Sequence, residues 1–139
     1  MSYRQFQHVA LTPSAIDAAT SGVIGWNWYP GPTPHVIRCF WGQNNTTLGN
    51  VSGLVAVLER VQMNVATTAT TIATLNPTAT GGAGVIFYED DINTEVSPGA
   101  RVQVRITDIA TVAATFAFGM YVEPRWEIPG NATNVKATT

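Results

Sequence analysis

Ala100-Arg101-Val102-Gln103-Val104-Arg105-Ile106-Thr107 alternates apolar and polar residues without a break. A strand turns successive side chains to opposite faces, so Val102, Val104 and Ile106 share one side and Arg101, Gln103, Arg105 and Thr107 the other. Helical spacing gathers no such face. The reading is a strand of antiparallel sheet, buried on one side and wet on the other. A second alternation runs from Leu58 to Val65, with Val61, Met63 and Val65 set against Arg60, Gln62 and Asn64.

Outward from these two, further β-rich stretches lie between Gly, Pro and Asn clusters: 22–29, 35–41, 68–75, 84–88 and 111–122. Thr, Val and Ile dominate them, as a pleated, half-buried surface favours. The breaks are turn-forming: Pro30-Gly31-Pro32-Thr33-Pro34, Gly42-Gln43-Asn44-Asn45, Asn76-Pro77-Thr78, Gly81-Gly82-Ala83-Gly84 and Ser97-Pro98-Gly99. About seven or eight strands at near-regular spacing predict a single antiparallel all-β domain over 1–139, a β-sandwich, a jelly roll or a barrel. One short helical turn is expected over 13–19, with Thr12 as cap and Pro13 in the first position. The segment 1–10 reads as an extended N-terminal arm and 129–139 as a loose Gly-, Asn- and Thr-rich tail.

With 139 residues, 45% of them hydrophobic, the chain can bury a real core. Its charged fraction is 12%, about half that of an ordinary soluble domain. Thr, Ala, Gly and Asn stand where charges usually keep a surface solvated. That suits a surface occupied by neighbours, and also an extracellular module. Six of the seven cations are Arg, the residue preferred for bidentate pairs at interfaces. Net charge is −2 and no basic stripe exists, which argues against nucleic acid as a partner. Residues 1–10 carry no apolar signal-peptide core and no run of about 18 apolar residues occurs, so synthesis in a cytoplasm and no membrane span are expected.

Candidate chemistry is sparse. His8 and His35 have no metal-ligand spacing between them, and no Gly-x-Ser-x-Gly turn is present, so no enzymatic activity and no cofactor are expected. The single Cys39 excludes an internal disulfide and reads as a small buried hydrophobe. Gly81 to Gly84 lacks the Lys and Ser/Thr of a phosphate loop and reads as a hairpin connection. Glu89, Asp90 and Asp91 read first as a solvated acidic loop or a partner for arginines of a neighbour, and second as a calcium site. Trp26 and Trp28 fall on one strand face, and Trp41 closes the next strand. Together they are either core or an exposed aromatic platform, for sugar stacking or for a subunit contact. Tyr121, Arg125 and Trp126 extend that surface toward the C-terminus.

In composition and layout the chain resembles small virion proteins of tailed bacteriophages, of the capsid decoration or cement type. The residues carrying the resemblance are the arm Ser2-Tyr3-Arg4-Gln5-Phe6-Gln7, the Thr/Ala strand Val65 to Leu75 and the Asn/Thr tail after Pro129. The resemblance implies a protein on the capsid surface of a virion. Its partners there are the major capsid protein and copies of itself, as trimers at local threefold axes, and it stabilises the assembled shell through subunit contacts. On that reading Tyr3, Arg4 and Phe6 join the tryptophans, Arg125 and Trp126 in the interface. The competing reading is a carbohydrate- or ligand-binding β-sandwich, with calcium as a possible aid.

Overall fold

The computed structural model describes residues 6–12, 16–17, 21–45, 53–63, 68–77, 84–108 and 115–125. Among the described residues ten strands form in chain order: β1 (Gln7–Ala10), β2 (Ile16–Asp17), β3 (Gly22–Trp28), β4 (His35–Asn44), β5 (Val55–Gln62), β6 (Ala69–Leu75), β7 (Ile86–Glu89), β8 (Thr94–Val96), β9 (Ala100–Asp108) and β10 (Thr115–Pro124). All pairings are antiparallel. The first sheet runs β1–β10–β4–β7, with β2 also on β10 and β8 also on β4; the second runs β3–β9–β5–β6.

Since β1 and β2 share one edge of β10, and β7 and β8 share one edge of β4, the molecule reduces to eight strand positions. The two sheets then carry the orders 1-8-3-6 and 2-7-4-5. The chain crosses between sheets at every connection except the β5–β6 hairpin. This is the order of a double-sheet jelly roll, and the sheets do not close into a barrel.

Apolar side chains of both inner faces meet between the sheets. Phe40, Phe116, Phe118, Met120 and Val122 come from the first, and Leu58, Leu75, Val102, Val104 and Ile106 from the second. Phe40 and Phe118 lie 6.0 Å apart by ring centroid, and Phe87 meets Phe118 edge-on. The inner face of β9 is as its sequence predicts, but the opposite face, expected to be wet, is covered at its centre, where Gln103 and Glu59 are both buried. Gln103 and Arg105 turn outward to Glu59, whose Oε1 accepts from Arg105 Nε at 2.9 Å and from Gln103 Nε2 at 3.1 Å. The neighbouring strand differs from expectation. Arg60 pairs with Val102 on the inner side, and its guanidinium crosses to the Glu95 carbonyl at 3.0 Å. Val61 shares the outer face with Glu59, so the apolar face read from Leu58 to Val65 is displaced by one residue.

The two flanks of the sandwich are unlike. On one, Trp26 N–H donates to Leu11 O at 2.8 Å and ties β3 to the chain leaving β1. Gly25 makes this possible: its φ is +73°, and a Cβ there would sit 2.2 Å from Leu11 O. On the other flank, between β6 and β7, an open groove of about 300 Å³ is lined by residues including Leu75, Pro77 and Phe87.

Two expectations change at the N-terminal end. No helix occurs among the described residues; within 13–19, Ile16 and Asp17 pair instead with Phe116 and Thr115. A β-branched residue offered a free strand edge takes the sheet ladder over a marginal single turn. The end of the expected arm, Gln7–Ala10, is itself an edge strand. His8 lies opposite Tyr121, and Val9 is buried opposite Met120. The tail 129–139 lies outside the described residues.

Candidate functional site

The outer face of the six-stranded sheet is built by cross-strand register. One row holds His8, Tyr121 and Cys39. The next holds Ala10, Gly119, Trp41 and Tyr88, and a third Ala117, Gln43 and Ile86. Opposed side chains in adjacent strands stand within about 5.5 Å at Cβ, so each row is a line of contacts.

Gly119 organises the centre. A Cβ at this position would meet Trp41 Cζ2 at 2.5 Å, Cε2 at 2.6 Å and Nε1 at 2.8 Å, so the indole occupies the space a side chain would fill. Trp41 leans across β10 and stacks on His8, with centroids 5.4 Å apart and planes at 22°. His8 in turn meets Tyr121 at 5.2 Å. Three strands are thereby bridged by rings. Trp41 Nε1 is buried in this packing and donates to no acceptor among the described residues.

Around the stack lies a shallow depression of about 390 Å³, lined by His8, Cys39, Trp41, Ile86, Tyr88 and Tyr121. Its walls protrude: Tyr88 is 62% exposed, Ile86 54% and Tyr121 42%. No lining residue bears a full carboxylate or guanidinium charge. The polar atoms available to an occupant are two phenol hydroxyls, the His8 ring nitrogens and one thiol, few for a hydroxyl-rich sugar. Cys39 is held above the ordinary thiol pKa of 9.0, first by burial and then by the nearby Asp90 and Glu89 carboxylates. The thiol is therefore protonated at neutral pH and a poor nucleophile.

Two arginines near the ends of the sheet are paired with carboxylates. Arg38 is the extra residue of a bulge between Ile37 and Cys39; its Nε donates to Glu123 at 3.0 Å and its Nη1 to Asn93. Arg125 reaches Glu95 at 3.5 Å. In the acidic loop, Asp91 N–H donates to Glu89 Oε1, while Asp90 is exposed. Among the described residues no group of three His, Cys, Asp or Glu side chains comes close enough to hold a metal ion.

The tryptophans read as one cluster do not share a face. Between Ile24 and Trp28 the register with β9 skips, so Gly25, Trp26 and Asn27 loop away from the ladder and the alternation that put Trp26 beside Trp28 fails. Trp26 is 55% exposed, near the exposed Tyr29 and Val23 of the same edge. Trp28 packs half-buried on the core, edge-on to His35 at 5.1 Å. Trp41 lies on the other sheet. Phe6 is exposed at the head of β1, and Arg125 is exposed at the end of β10. Tyr3, Arg4 and Trp126 lie outside the described residues.

Sequence reasoning missed His8, Ile86 and Tyr88 as site residues. The signal was the unbroken apolar run Val85-Ile86-Phe87-Tyr88, which puts large side chains on both faces of β7, but it takes the pairing of β7 on β4 to set Tyr88 and Ile86 against Trp41 and Gln43. The chain matches no protein-family model and no curated protein.

Proposed function

We propose that this chain is a structural subunit that acts by surface contact, a decoration or cement protein that binds the outside of an assembled virion shell and ties its subunits together. The observation that carries the reading is the uncharged aromatic face around Trp41. Monomeric proteins seldom leave a contiguous apolar patch facing water, and such patches mark contact surfaces. The shortage of charge over the whole chain supports the same reading, because uncharged Thr, Asn and Ala surfaces lose little hydration when a neighbour covers them. On this reading the chain has no catalytic role.

A cement protein stabilises by binding the assembled state and not its dispersed parts, so its effect is mass-action linkage repeated at every copy. The test is thermal. Shells stripped of this chain by mild denaturant should disassemble at a lower temperature than shells resupplied with it, and the temperature should rise with added protein until sites saturate. Identical disassembly temperatures with and without the chain would refute the role.

A further inference from the structure

We propose that the outer face of the six-stranded sheet is the interface with a second copy of this chain, the two faces packing across a twofold axis. This inference rests on the contact reading above and names the partner and geometry for one of its surfaces. A twofold replaces here the threefold arrangement that the resemblance implies.

Three observations select a second copy. First, a twofold axis brings a face against itself, so any charge near the axis meets its own copy. Here the rows of Tyr121 and of Trp41 carry no carboxylate or guanidinium, Glu123 and Glu95 fall in the row beyond Cys39, and Glu89 and Asp90 lie near that thiol at the β7 end. A nucleic acid would need cations at the centre, and a charged protein surface would need its complement there. Second, the face holds both halves of an interlock. The depression beside Trp41 is bordered by the protruding Tyr88, Ile86 and Tyr121, so in a twofold contact the rings of one copy can enter the depression of the other and the reverse. Third, the size is right. Two full columns, β4 and β10, and two partial ones, β1 with β2 and β7 with β8, spaced at about 4.8 Å, give a face on the order of 550 Å² in projection, its charged end row included. Stable protein contacts bury about 800 Å² of accessible surface per partner, and accessible surface exceeds projection on a knobbed face.

Sheet-on-sheet stacking at about 10 Å would cover the stack and bury the single thiol. The exposed Val23, Trp26 and Tyr29 on the β3 edge stay outside such a pair, free for another partner.

The experiment is sedimentation velocity on the purified full chain between about 1 and 100 μM, paired with the rate at which a maleimide labels Cys39. The proposal expects a dimer at the upper concentrations and labelling that slows as the dimer fills. Tyr88→Glu and Tyr121→Glu should each weaken dimerisation at least tenfold and make the labelling rate of Cys39 independent of protein concentration, whatever its absolute value beside the new carboxylate. Thr71→Glu, which adds the same charge to an exposed position on the other sheet, should leave the dimer intact. Melting temperatures of all three show that the variants fold. A chain monomeric throughout overturns the proposal, as does a dimer indifferent to Tyr88→Glu and Tyr121→Glu, or a trimer. Tryptophan fluorescence that responds to a glycan panel in a strictly monomeric chain would make the face a sugar platform and also overturn it. The contact reading fails separately. A monomer that still stabilises shells sinks the twofold and leaves the shell role, whereas a dimer that never affects shells does the opposite.

Discussion

Gly119 and Gly42 lie on adjacent strands and face opposite sides of the same sheet, and each is empty so that a ring can fill it. A Cβ at Gly42 would meet Phe87 at 2.6 Å and Phe118 at 2.9 Å, inside the core; one at Gly119 would meet Trp41, on the outside. Overpacking costs about 1 to 3 kcal/mol when the neighbours cannot leave. Gly119→Ala should therefore fall at the lower end, because the indole can swing toward solvent, and its emission should shift to the red. Gly42→Ala should fall at the upper end without that shift. Denaturant melts with fluorescence detection check both; an unshifted Gly119→Ala spectrum would contradict the placement of Trp41. Neither glycine announces this role in the sequence, since the ring that needs the space comes from a different strand.

Cys39 gives a second outcome at the same scale. Its pKa is higher in the fold than in the unfolded chain, so the fold favours the neutral thiol. Stability from this group is complete below pH 9.0, and falls as pH rises through the higher folded value, because the unfolded chain releases its proton first. The stability difference between wild type and Cys39→Ala should shift against wild type above about pH 9. A difference constant from pH 7 to pH 10.5 would contradict the burial of this thiol beside Asp90 and Glu89.

Among elements, the strands legible from sequence are those whose alternation is unbroken. β9 reads correctly on its inner face because Val102, Val104 and Ile106 are β-branched and the residues between them are polar. β3 does not, because Gly25 to Asn27 leave the ladder to let Trp26 N–H reach Leu11, a contact between distant parts of the chain. β5 misleads for a different reason. Its outer face carries Val57 and Val61 around the Glu59 pair, so hydrophobicity alone points to the wrong side. β1 is too short and polar to read as a strand, yet its two faces serve different ends. Val9→Ser should lower stability by about 2 kcal/mol, the order expected for losing one buried aliphatic side chain. Phe6→Ser, at an exposed position, should change it by less than about 0.5 kcal/mol. Chemical denaturation separates the two, and equal effects would contradict β1 as a strand that closes the core.

For the whole molecule, the all-β class follows from alternation and turn spacing, but the choice of two sheets over a barrel and the strand order do not. The jelly-roll order depends on which strands cross between sheets, and local pattern carries no record of that. The contact face was half legible. Trp41 stands out by composition, whereas His8, Tyr88 and Tyr121 join it only through pairings of strands far apart in sequence. A fold of this kind hosts many functions, so the functional reading stands on the face and on the charge-poor surface and not on the topology. The most direct measurement of the central claim is a density gradient of lysate from the source system, with mass spectrometry counting this chain in each fraction. The account predicts co-sedimentation with large particles in many regular copies per particle. Absence of the chain from every particle fraction would contradict it.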